Sequence, residues 1–166
     1  MNLRLNFENE ILRLGVERNV CVVAWRNAPT VLELREMHKT GKRLQLEHKK
    51  GSALFSVILG GTPAFPQDVR DEVGVIVRDD HVFTLAAAHV ILVTGLAGAA
   101  VRAFLSTAFL LSRPSTPNKV FADIATSVKW VHEKLEVGSV IWSEAELLDL
   151  VTRVVGPIEP VKKATG

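Results

Sequence analysis

The sequence predicts an α/β domain in which an N-terminal hairpin is followed by alternating helices and strands, giving a mixed sheet flanked by helices. Three observations carry this. Short apolar runs recur along the chain: VCVVAW at 20–25, SALFSVILGG at 52–61 and AAAHVILVT at 86–94. Between them, 31–48, 67–80 and 98–112 return apolar residues at helical spacing. Strands that alternate with helices need crossovers, which build parallel pairs covered by helices.

The elements follow in order. Residues 3–7 (LRLNF) alternate and suit an edge strand. ILRLGV (11–16) and VCVVAW (20–25) flank the polar Glu17-Arg18-Asn19 and form a hairpin. Thr30 with Glu33 three residues later is a capping box opening a helix over 31–48. Leu34, Met37, Gly41 and Leu44 make one stripe of that helix, and His48, Lys49 and Lys50 sit at the negative end of its dipole. Gly51-Ser52 ends it. SALFSVILGG shows little alternation, as a strand covered on both faces should. TPAFP (62–66) is a stiff loop before a helix over 67–80, where Val69, Val73, Ile76 and Val77 recur. A buried strand over 86–94 leads to the helix 98–112, then to a turn at 113–117 and a short strand NKVFA at 118–122. Asp123 caps a helix over 124–135, and Ser143 with Glu146 opens a last one over 143–155. Four or five helices on five or six strands result.

The chain of 166 residues suits one domain over 1–156, including the added C-terminal helix, with 157–166 as a flexible tail. It is 48% hydrophobic and 23% charged, an ordinary globular balance. A net charge of +2 argues against a nucleic-acid partner, since such proteins gather Lys and Arg on one face. The basic run His38–Arg43 has no aromatic residues among its cations and reads as a solvated helix face. The N-terminal MNLRLNFENE lacks the pattern of a signal peptide. The long apolar stretch 82–101 is broken by His89, Thr94, Gly95 and Gly98, so no membrane span is expected and the expected location is cytoplasmic.

VILVTGLAGAAVRAF (90–104) has the strand, glycine turn and helix of a phosphate loop. The Walker pattern needs a Lys after its last glycine, and here Ala99-Ala100-Val101 follow Gly98. The dinucleotide fingerprint needs GxGxxG and a later acid, and both are missing. Thr94, Gly95 and Gly98 therefore read first as a turn. They remain candidates for a crevice at the strand C-terminal ends, shared with the glycine turn at Gly60–Pro63. No Gly-x-Ser-x-Gly elbow is present, and no spacing brings Cys21 and His89 together. The single cysteine excludes an internal disulfide. The five histidines are scattered without ligand spacing, so no catalytic residue, metal site or cofactor is assigned.

The helix 98–112 is apolar around nearly its whole circumference, more than one sheet face can cover. Its outer side needs a second cover, from the C-terminal helix or another protein chain. Val101, Phe104, Leu105 and Phe109 are the interface candidates.

VFADIATSVKWVHEKL, preceded by AAVRAFLSTAFLLSRPSTPNK, resembles the C-terminal half of STAS-type domains of the SpoIIAA-like (STAS/SEC14) group. The matching residues are Val101-Arg102-Ala103-Phe104, Val120-Phe121, and Ala125 with Trp130-Val131, and VCVVAWRNAPT resembles the early part of the domain. The likeness covers roughly residues 10–135. It implies a STAS-like fold with no cofactor of its own and a bacterial-type regulatory role through protein–protein interaction. In anti-sigma factor antagonists of this group a Ser or Thr after an Asp is the phosphorylated switch. The matching place here is Gly60-Gly61-Thr62-Pro63, which lacks the Asp-Ser pair and offers Thr62 as its hydroxyl.

Two functional expectations follow. One is a non-enzymatic regulatory module that binds a protein partner and itself as a homodimer. The other is a small-molecule, phosphate or nucleotide binder, or a small enzyme, using the strand-end crevice.

Overall fold

In a computed structural model of the chain, which describes residues 2–157, six strands form one mixed sheet in the unbroken order β1 to β6. β1 (Arg4–Glu8), β2 (Leu12–Glu17) and β3 (Val20–Trp25) are an antiparallel meander. β3, β4 (Ala53–Ile58), β5 (Ala86–Ile91) and β6 (Asn118–Phe121) are parallel neighbours. The helices are α1 (Val31–Glu47), α2 (Gln67–Val77), α3 (Gly95–Ser112), α4 (Ile124–Leu135) and α5 (Glu144–Val155). The α/β class, the N-terminal hairpin and the flanked mixed sheet are thus present. Residues 158–166 of the expected tail lie outside the described residues.

Local chemistry starts the helices where the sequence places them. Thr30 with Glu33 and Ser143 with Glu146 form reciprocal capping boxes, and Asp123 accepts from the Thr126 backbone N–H. Several ends differ from expectation. α1 stops at Glu47, so Lys49 and Lys50 lie beyond it. α2 stops at Val77, and β5 at Ile91. α3 begins at Gly95, so both glycines of the expected turn lie inside the helix.

Strand order decides which face each helix covers. Parallel strands added one after another in a single direction, joined by right-handed crossovers, put every crossover helix on the same side. α1, α2 and α3 lie there, and Leu34, Met37, Leu44, Val69 and Ile76 pack on Leu14, Cys21, Val23 and Leu54. The other face would be bare. α4 and α5 cover it, with Val128, Val131, Leu147, Leu150 and Val154 on Val22, Phe55, Ala88 and Val90. β3 is buried along its whole length because each of its faces meets a helical layer. This corrects one expectation: the C-terminal helix does not pack over 98–112 but lies beside α4 on the opposite face, whose apolar residues it covers.

Candidate functional site

The layer of α1, α2 and α3 does not close fully on the sheet. A cavity of about 140 Å³ lies between them. Its floor is Trp25 of β3, Leu54, Ser56 and Ile58 of β4, and Ala87 and His89 of β5. Leu34 and Met37 of α1 wall one side, and Val73, Ile76 and Val77 of α2 another. α3 closes it with Val101, Phe104, Leu105 and Phe109. These four lie on the inner stripe of α3, which turns half-buried residues towards the cavity, and Gly98 is the one fully buried residue of the helix. The Phe65 ring stacks on Phe104 with centroids 4.0 Å apart, tying the loop before α2 to α3.

Polar groups are few and placed by the strands. Ser56 and His89 are the fourth residues of two six-residue strands and pair directly in register, so both face the cavity. The Trp25 indole N–H donates to Ser56 Oγ at 3.0 Å. His89 Nε2 lies 3.0 Å from Asn118 Oδ1, and the Asn118 amide donates to the Thr116 carbonyl at 2.9 Å. The His89 ring tilts against Phe109, centroids 5.0 Å apart. Burial pushes the His89 imidazole below its ordinary pKa, and the bond to Asn118 only partly opposes this.

Asp79 is the one carboxylate on the wall, and no Lys or Arg lines the cavity among the described residues. His38 Nε2 lies 2.7 Å from Asp79 Oδ2, with Lys42 Nζ at 3.8 Å. Burial raises the Asp79 pKa. The bonds from His38 and the His81 backbone N–H, with the charges of His38 and Lys42, outweigh it and hold the carboxyl below its usual range. Among the described residues no three His, Cys, Asp or Glu side chains are gathered as metal ligands.

The candidate residues divide. Gly60, Gly61, Thr62 and Pro63 line the cavity, with Gly61 pressed against the backbone of Asn27 and Ala28. Thr94, Gly95 and Gly98 do not line it. Gly98 is glycine because a Cβ there would strike the Val93 carbonyl oxygen. Val101, Phe104, Leu105 and Phe109, read as an outer interface, face inward instead. The outer face carries Leu96, Leu110 and Leu111, which are 92%, 74% and 78% exposed. α3 is also, by length and composition alone, long and apolar enough to cross a membrane. Cys21 is sealed in the core, where burial pushes its thiol pKa far up.

The unbroken strand order has no switch point, and the cavity lies under the helices and reaches the C-terminal ends of β3 and β4, where residues 27–29 and 60–63 line it. Sequence reasoning did not assign Trp25, Ser56, His89, Asn118 or Phe65 to a site. A signal existed for two of them: Ser56 and His89 each interrupt an apolar strand at the same position. Comparison with family models, curated proteins and solved structures finds no match to this chain.

Proposed function

We propose that this protein is a binding protein that takes up a small apolar molecule between its sheet and α3. The observation that carries this reading is the cavity. At about 140 Å³ it is close in size to apolar cavities that hold a benzene-sized ring. Its walls are largely carbon with a few placed polar groups, the usual make-up of a ligand pocket. No hydrogen bond joins Ser56 to His89, so the polar floor favours holding a molecule over activating a nucleophile.

Thermal shift tests this. Cyclohexanol or methylcyclohexane should raise the melting temperature in a saturable way, because a ligand of the folded state stabilises by mass action. Leu105→Trp, which fills the cavity from α3, should abolish the shift. A wild-type protein that shifts with neither probe would overturn the reading.

The outer face of α3 favours a second reading, a STAS-like interaction module that associates with a second copy of itself. Its support is the exposed strip of Leu96, Leu110 and Leu111 on a helix whose only charged residue is Arg102.

A further inference from the structure

The hydrogen-bond directions on the cavity floor say what polar group a ligand should carry. The Asn118 amide N–H₂ donates to the Thr116 carbonyl, which can only accept. This turns Asn118 Oδ1 towards His89, so Nε2 is the protonated nitrogen of that ring. A neutral imidazole then presents Nδ1 as an acceptor. No protein group bonds Nδ1 among the described residues. Among the described residues the only sealed side-chain nitrogen or oxygen without a partner is Arg13 Nε, so Nδ1 is open to the cavity that His89 lines. Ser56 Oγ already accepts from the Trp25 indole, which can only donate. Its own O–H has no acceptor among the described residues and is left for the cavity.

One acceptor and one donor thus sit side by side on paired residues of adjacent strands, without bonding each other. We propose that the cavity selects an uncharged apolar molecule bearing a hydroxyl, which donates to His89 Nδ1 and accepts from the Ser56 hydroxyl. An anionic head group would meet no Lys or Arg on the walls and one carboxylate, Asp79. A pure hydrocarbon would leave both polar groups unsatisfied, which a dry site penalises. The inference rests on the cavity reading above and adds the chemical class of its ligand.

The test is calorimetry with three probes of similar shape: cyclohexanol, methylcyclohexane and cyclohexanecarboxylate. Cyclohexanol should bind roughly tenfold tighter than methylcyclohexane, as one to two well-made hydrogen bonds imply. Ser56→Ala should narrow that preference, because it removes one of the two hydrogen bonds, and Ser56→Thr should restore it. Should Ser56→Ala fail to fold for want of a Trp25 partner, His89→Phe removes the nitrogen and keeps a ring against Phe109. It should narrow the preference in the same way. Equal binding of alcohol and hydrocarbon, or a preference that neither substitution narrows, would overturn the hydroxyl assignment while leaving the cavity reading intact. Tightest binding by the carboxylate would also overturn it. Binding by none of the three would sink the cavity reading, and this inference with it.

Discussion

Glu33 is 2% exposed, yet it keeps a carboxylate in an apolar layer. Burial alone would raise its pKa. The Asn9 amide at 2.9 Å, the Thr30 backbone N–H at 3.0 Å and the Thr30 hydroxyl outweigh that and bring it below the usual value. Glu33→Ala strands the Asn9 and Thr30 donors and removes half of a capping box. We expect a loss of about 2 kcal/mol, read as a lower urea midpoint at unchanged slope. A carboxyl with a lowered folded-state pKa stabilises above its unfolded value, so this contribution fades as pH falls below about 4. His89 behaves differently. Its folded-state pKa lies below the unfolded one, so the unfolded chain takes up a proton first as pH falls. Stability is then full above about pH 6.5 and declines below it, by at most about 1.4 kcal/mol per pH unit. Urea melts between about pH 7.5 and 5.5 should show this slope, and His89→Gln should flatten it by the share that belongs to His89.

At the scale of elements, α3 shows how a glycine pattern can mislead. Gly95 and Gly98 resemble a phosphate loop on spacing, but Gly98 exists because the helix crosses close over the Val93 carbonyl. Gly98→Ala must push the start of α3 away from that backbone. We expect a cost of about 1–3 kcal/mol and faster hydrogen exchange along α3, with α4 and α5 unaffected. The start of each capped helix was legible because caps are local: Thr30 with Glu33, Asp123, and Ser143 with Glu146 each satisfy N–H groups within one turn. The inward stripe of α3 was not. Its apolar residues run around the whole helix, so hydropathy could not tell Val101 and Phe104, which face the cavity, from Leu110 and Leu111, which face outward. The site was legible only as two polar interruptions, Ser56 and His89. Their meeting depends on strand register, and the donor roles depend on Asn118, a residue of a third strand.

At the scale of the molecule, one constraint explains both the site and the loose surface. A sheet built in unbroken order with right-handed crossovers stacks three helices on one face. α1 covers that face over β3, and α3 is left beside α2 over β5. There it spans a cavity instead of a packed core, and Leu96, Leu110 and Leu111 on its outer side are exposed among the described residues. The C-terminal helix could have done so, but α4 and α5 are needed on the opposite face, where their absence would bare Val22, Phe55 and Val90. No local signal carries that choice, which is why the sequence left the cover of α3 open between α5 and a second chain. With α5 accounted for, another protein chain is the remaining cover on that expectation, and the second reading proposed above takes it to be a copy of this one. Sedimentation equilibrium over a range of concentrations should therefore show association of the wild type. Leu110→Glu combined with Leu111→Glu puts charges on the exposed strip without touching the cavity wall, so it should yield monomers with little change in melting temperature. A wild type that stays monomeric at high concentration would show that the strip has no copy of the chain as its partner. A double variant that melts much earlier would mean instead that the two leucines support the fold.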